Sequence, residues 1–298
     1  LLENRLYISN PLINQDKVTA GQEIFSINGK SVIELMSEIF LHISTQGKTK
    51  SAKGYKFNYW TTAMIPYAMG FPKSYNIVVK GQKTAIQLNN LKTYQLTPKQ
   101  HQACEDNLCF KVLKEEQTAV MTIKTWAYYG NQFSIFKKFL DDSFETIEKQ
   151  QLKNLIVDVR GNGGGPSDAG IYFLQYLSKK PFTYFKESTF NEKKEAFHPH
   201  KKVFDGEVYF LIDGGGGSTT GHILSIVKHL NLGTLVGEEL GSNKFATAGQ
   251  KIFSLSHTNV FYAVGRYTYI TDAASVSEEI GVLPDHYMVQ GIEDYLNS

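Results

Sequence analysis

The chain has 298 residues, with 31 basic and 29 acidic side chains and a net charge of +2. That balance leaves no electrostatic footprint for nucleic acid or an anionic membrane. Hydrophobic residues make up 42% and charged residues 20%, the composition of a globular protein with one large or two ordinary domains, and no apolar run reaches the ~18 residues of a transmembrane helix.

The first residues, LLENRLYISN, have neither a basic start nor a signal-peptide core. They read as mid-domain sequence, so the chain is expected to begin inside a longer protein. Ile24, Phe25 and Ile27 form a short strand before the tight-turn pair Asn28-Gly29. Helical spacing follows at Val32, Leu35, Met36, Ile39 and Phe40. The polar, basic stretch 44–56 is expected to be an exposed loop. An apolar patch from Tyr59 to Phe71 reads as helical or irregular and stops at Pro72. Residues 75–88 alternate like a strand pair turning at Gly81. Residues 92–118 are polar and read as a connector. They carry both cysteines, Cys104 and Cys109, which fit either a local disulfide or two ordinary thiols. No metal-ligand spacing accompanies them.

From Val120 onward the pattern changes. A strand at Val120–Ile123 precedes helical periodicity at Phe136, Phe139, Leu140, Phe144 and Ile147. Leu155–Val159 is a strand, followed by a helix over about 168–178. Residues 179–206, rich in Lys, Phe and His, read as an excursion from the core. Val208–Ile212 is another strand, and the next helix places Ile223, Ile226, Val227 and Leu230 on one face. A strand at Gly233–Val236 and a hairpin over about 251–265 complete the pattern. Alternating strands and helices imply right-handed crossovers and a largely parallel sheet.

Two segments stand out. NLIVDVRGNGGG (154–165) and VYFLIDGGGGSTTGH (208–222) are each an apolar strand that stops in a glycine-rich turn before a helix. In one parallel sheet both turns fall at the same edge, where α/β proteins keep their active sites. Ser218, at the start of the second helix, is a candidate nucleophile, and a helix N-terminus favours an oxyanion there. Serine is also a good helix cap, and residue type alone leaves both roles open. The oxyanion hole would combine the N–H of Thr219 with that of Gly163 or Gly164. No GxxxxGK[ST] and no GxGxxG with a trailing acid occurs, which argues against a nucleotide site. Asp158 and Arg160 sit at the strand end, where the arginine could fix the loop or pair a substrate carboxylate.

Four motifs in order carry a family resemblance: GQEIFSINGKSV, NLIVDVRGNGGG, GGSTTGH, and LVGEELG followed by EEIGVLPD. From about Ala20 to Val289 the chain resembles the tail-specific, or C-terminal processing, serine proteases. The resemblance implies an α/β fold with a crotonase/ClpP-like core, a mostly parallel sheet with flanking helices, and a small PDZ-like N-terminal segment. The expected boundaries are 1–95 for the PDZ-like segment, 96–118 for the connector and 119–298 for the protease core. It also implies a serine endopeptidase that needs no cofactor or metal, acts on peptides or proteins, and works outside the cytoplasm.

Proteases of this kind use one of two bases. One is a lysine on the loop after the Gly-Glu strand. Lys244 lies near that place, one residue further from Glu238 than the family pattern, and its polar flanks Ser242 and Asn243 suggest a solvated ammonium. The other is a histidine from the N-terminal part, oriented by a glutamate before the GV-x-PD motif. Glu278 fits that glutamate, and its histidine would lie upstream of Leu1. His222 shares a helix face with Ser218 and suits a packing role better than a catalytic one; His198 and His200 read as surface residues. Two rival readings use the same fold. One is a non-catalytic module for apolar ligands or peptides, like the retinoid-binding proteins of the eye. The other is a crotonase-like acyl-CoA enzyme, which would leave Ser218 unexplained.

Overall fold

The computed structural model describes residues 1–90, 104–188 and 195–297. The chain divides into two compact units. The first comprises residues 1–45, 53–103 and 288–298, and the second residues 46–52 and 104–287.

The first unit holds an antiparallel sheet of Leu6–Tyr7 (β1), Glu23–Ile27 (β2), Lys30–Ser31 (β3), Asn76–Val79 (β4) and Ile86–Gln87 (β5). The Asn28-Gly29 pair makes the expected turn between β2 and β3, with both residues at positive φ. Helix Val32–Leu41 (α1) starts in a capping box, in which Ser31 and Glu34 satisfy each other's exposed N–H groups. That bonding holds the Glu34 carboxyl below its ordinary pKa. Its inner face is Val32, Leu35, Met36 and Ile39, as the spacing predicts. The expected loop over 44–56 is corrected from Ser51 onward, where helix Ser51–Ala68 (α2) begins and runs through Pro66. Its apolar residues follow no clean period, so the sequence carries no amphipathic signal. Tertiary packing holds it instead: Phe57 is fully buried, and Met64, Ile65 and Ala68 pack on the same cluster.

The second unit is built on a six-stranded sheet. Its strands are Leu108–Leu113 (β6), Thr118–Ile123 (β7), Asn154–Asp158 (β8), Glu207–Ile212 (β12), Thr234–Gly237 (β13) and His286–Tyr287 (β18). Between them in sequence come the short strands Phe182–Thr183 (β9), Phe185–Ser188 (β10) and Ala196–Phe197 (β11), and then Phe245–Ala248 (β14), Lys251–Ser254 (β15), Phe261–Val264 (β16) and Tyr267–Thr271 (β17). The six-stranded order is β18-β13-β12-β8-β7-β6. Every neighbouring pair is parallel except β6 with β7 at the edge. The fold is therefore α/β with a mostly parallel sheet, as expected. Strand β6 falls inside the stretch expected to be a connector, and residues 96–103 of that stretch lie outside the described residues. Cys104 and Cys109 form a disulfide at its start.

Burial alternates along β8 (Leu155, Val157) and β12 (Val208, Phe210, Ile212). Helix Phe133–Lys149 (α3) covers the sheet with Phe136, Leu140, Phe144 and Ile147. Burying each such side chain contributes about 1.5–3 kcal/mol. Helix Ser167–Gln175 (α4) also packs on this core, and helix Thr219–Leu230 (α5) is buried on every side from Thr219 to Val227. The chain ends in a short helix, Ile292–Asn297 (α6), in the first unit. β14 and β17 pair at the base of a long hairpin arm whose outer half, β15 with β16, is exposed on both faces.

Candidate active site

β8 and β12 are hydrogen-bonded neighbours running the same way, with Val157 opposite Phe210. Their glycine turns therefore leave the sheet side by side. Asp213, at the end of β12, ties them together through Oδ1, which accepts from Gly161 N–H at 2.8 Å and Gly215 N–H at 2.9 Å. Burial raises the Asp213 pKa, against the pull of those two N–H groups and of Arg160. Arg160 holds Asp158 in a two-point pair, Nε to Oδ1 at 2.9 Å and Nη2 to Oδ2 at 2.6 Å. Its guanidinium is thus engaged within its own turn.

Asn162 is the larger organiser, and the sequence reading did not single it out. Its side chain is fully buried. Nδ2 donates to Ile123 O at 2.8 Å, and Oδ1 accepts from Gly164 N–H at 3.0 Å. Its carbonyl accepts from Gly217 N–H at 3.0 Å and from Thr220 Oγ at 2.8 Å. Trp126 Nε1 donates to the same Thr220 hydroxyl at 3.0 Å, and Trp126 N–H donates to Gly164 O at 3.1 Å. Thr219 Oγ adds a bond to Gly165 O. The buried side chain thus holds the first turn to the end of β7, while the Asn162 backbone carbonyl ties that turn to the second turn and to the start of α5. The available signal was an asparagine inside a glycine run, a residue that bonds nearby backbone.

Ser218 is exposed and sits at the N-cap of α5 with φ 51° and ψ −120°. A non-glycine residue there carries about 1–3 kcal/mol of strain, a feature that clusters at functional sites. Its side chain makes no capping bond, which removes the plain helix-cap reading. Gly164 faces it closely: a Cβ there would lie 2.8 Å from Ser218 Cβ and 3.0 Å from Thr219 N. Gly164 N–H is already taken by Asn162. Gly163 is exposed with open space around it. Of the two glycines expected at the oxyanion hole, Gly163 is the one whose N–H has no partner among the described residues.

Lys244 and Glu278 meet each other, Nζ to Oε1 at 3.1 Å. The solvated ammonium expected from the polar flanks is corrected: Ser242, Asn243 and Lys244 are 2%, 0% and 6% exposed. Their polar atoms find partners inside the protein, so polarity did not force them outward. Gly221 of α5 packs against the Asn243 carbonyl, with a built Cβ only 2.4 Å away. That contact brings the Lys244 loop against the first turn after Ser218. No hydrogen bond joins Ser218 Oγ to a histidine, to Lys244 or to Glu278 among the described residues.

His222 is buried beside Tyr184 and Phe185, with ring centroids 5.9 and 6.4 Å apart. Neither ring nitrogen reaches a hydrogen-bond partner among the described residues. Burial lowers its pKa to about 4. His198 is exposed, as expected. His200 is only half-exposed, because its ring lies 4.0 Å from that of Tyr176. The neutral His222 leads to an expected result. The unfolded chain, with its ordinary value near 6.5, binds more protons than the folded one between that pH and about 4. Stability should rise with pH through this window and fall by roughly 3 kcal/mol on acidification across it. Urea unfolding at several pH values measures the slope. In His222→Phe the slope should flatten; an unchanged slope would assign it to another group.

The sequence matches Peptidase family S41 over residues 117–288. No curated protein matches it. Among solved structures, mature CPAF is 11% identical with a TM-score of 0.62, covering 98% of this chain and 76% of that one. Mature CPAF complexed with lactacystin is 12% identical with a TM-score of 0.57, covering 94% and 75%. The photosystem II D1 C-terminal processing protease is 15% identical with a TM-score of 0.45, covering 96% and 69%. The CPAF likeness shows the fold. The family match covers more than half of the chain and spans both glycine turns, the Lys244 loop and Glu278, so the chain belongs to peptidase family S41, the serine-type peptidases.

Proposed function

We propose that the protein is a serine endopeptidase of the tail-specific type in which Ser218 attacks the scissile carbonyl of a peptide or protein. The observation that carries this is the exposed, strained and uncapped Ser218 at a helix N-terminus, facing Gly164. The oxyanion would be held by the N–H groups of Thr219 and Gly163, with the α5 dipole behind them. For the base, the observations favour a histidine from outside the described residues, oriented by Glu278. Lys244 is the alternative, but an ammonium paired with a carboxylate has no free lone pair with which to take the serine proton. Arg160 then fixes its loop through Asp158 and is not free for substrate. Residues 1–95 would serve as the PDZ-like segment and 119–298 as the protease core. The Cys104–Cys109 disulfide supports an extracytoplasmic setting. No described helix is long and apolar enough to cross a membrane.

A fluorophosphonate probe with peptide mass mapping tests the reading. Ser218 should be labelled, and Ser218→Ala should abolish the labelled peptide. Imidazole should accelerate labelling if the base is an absent histidine. Labelling that needs Lys244 but survives Glu278→Gln would make the lysine the base. No labelling under any condition would favour a binding module.

A further inference from the structure

Three segments far apart in sequence converge behind the Lys244–Glu278 pair: residues 46–51, 239–245 and 278–282. At their centre is Asn243, fully buried. Its Nδ2 donates to Glu278 O at 3.0 Å and Ile280 O at 2.9 Å. Its Oδ1 accepts from Phe245 N–H at 3.0 Å and Gln46 Nε2 at 2.8 Å. Those four bonds are the most that a carboxamide usually makes. The backbone N–H of Phe245 leaves only one orientation, with the NH₂ group facing the two carbonyls. Gln46 Nε2 also donates to Phe245 O at 2.8 Å, so it braces both sides of the loop.

Glu239 makes a parallel set of bonds. Its carboxylate accepts from Gly281 N–H at 3.0 Å and Lys50 N–H at 2.9 Å, and Val282 N–H donates to Ser242 O at 3.0 Å. The Glu278 side chain is 59% exposed. Packing around its own side chain therefore does not fix where the carboxylate lies. Its backbone does, and Asn243 holds that backbone while sitting next to Lys244 in sequence.

We propose that Asn243, braced by Gln46, is the positioning residue of this active site: it sets Glu278 and Lys244 in register with each other and with the first turn of α5. Resting on the reading of Ser218 as nucleophile, this adds a clasp that would serve either choice of base. Asn243 does not touch the reacting atoms; it acts through Glu278.

The experiment compares fluorophosphonate labelling rates of Ser218 across pH 5–9 in the parent, Gln46→Ala, Glu278→Gln and the double variant. Gln46 is only half-buried, so Gln46→Ala should leave the core intact where Asn243→Ala could unfold it. Gln46→Ala should slow labelling roughly tenfold, the equivalent of one or two lost hydrogen bonds, and shift the pH midpoint. In the Glu278→Gln background it should add nothing, because it acts through that residue. An equal loss in both backgrounds, or a loss that follows the melting temperature with the pH profile unchanged, would overturn the clasp. If the parent is not labelled even with imidazole present, the nucleophile reading fails, and hydrogen exchange decides the clasp separately. Faster exchange of residues 278–282 in Gln46→Ala would support it, and unchanged exchange would refute it.

Discussion

Asn162→Ala is expected to slow labelling of Ser218 about a hundredfold and to lower stability by roughly 3–5 kcal/mol. Alanine removes the acceptor for Gly164 N–H and the donor for Ile123 O. Both backbone groups would be left buried, and each unsatisfied group costs about 1–3 kcal/mol. The larger effect is on geometry. The Asn162 side chain fixes Gly164 against the end of β7 and accepts from Thr220 Oγ at the start of α5 at 3.2 Å, and a displacement of about 1 Å at a reacting centre can cost a hundredfold in rate. Probe labelling measured beside urea unfolding separates the two losses. A variant that unfolds more easily but labels at the parent rate would mean that the turns hold their geometry without the amide.

Gly164→Ala is expected to be at least as damaging. Gly164 has φ +107°, a region that L side chains rarely adopt, and its Cβ would meet Gly217 O and Ser218 Cβ at 2.8 Å. The conformational strain contributes about 1–3 kcal/mol and the overpacking a similar amount. None of the three nearest atoms is the flexible end of a long side chain. Relief therefore has to come from moving the Ser218 turn away from the first glycine turn, which would open the proposed oxyanion hole. Labelling should fall by about a hundredfold or more. Gly163→Ala is the contrast: with nothing within 4 Å of its built Cβ, it should fold like the parent. A Gly164→Ala variant that labels normally would refute the close-approach argument.

The elements of the parallel core were legible because their signals are local. β8 and β12 alternate and stop at glycine, and α3 repeats Phe136, Leu140, Phe144 and Ile147 along one face. Ser218 was legible for the same reason, being the residue at which a glycine run becomes a helix. The roles of Asn162 and Asn243 were not legible. A buried asparagine has the same letter as an exposed one, and its partners here lie up to 197 residues away. Helix α2 was missed at its start because few of its side chains are buried, and these follow no helical period.

Some features of this protein follow from the sequence alone. These are the strand–helix alternation, the two glycine turns at one sheet edge and the serine that ends the second. Each depends only on backbone preferences and the spacing of apolar residues within a few positions. The tertiary structure decided which glycine keeps a free N–H, that Lys244 is buried against Glu278, and that Cys104 and Cys109 are bonded. Those outcomes depend on which groups compete for the same donor, acceptor or counter-charge once distant segments meet. Only the folded chain fixes those pairings.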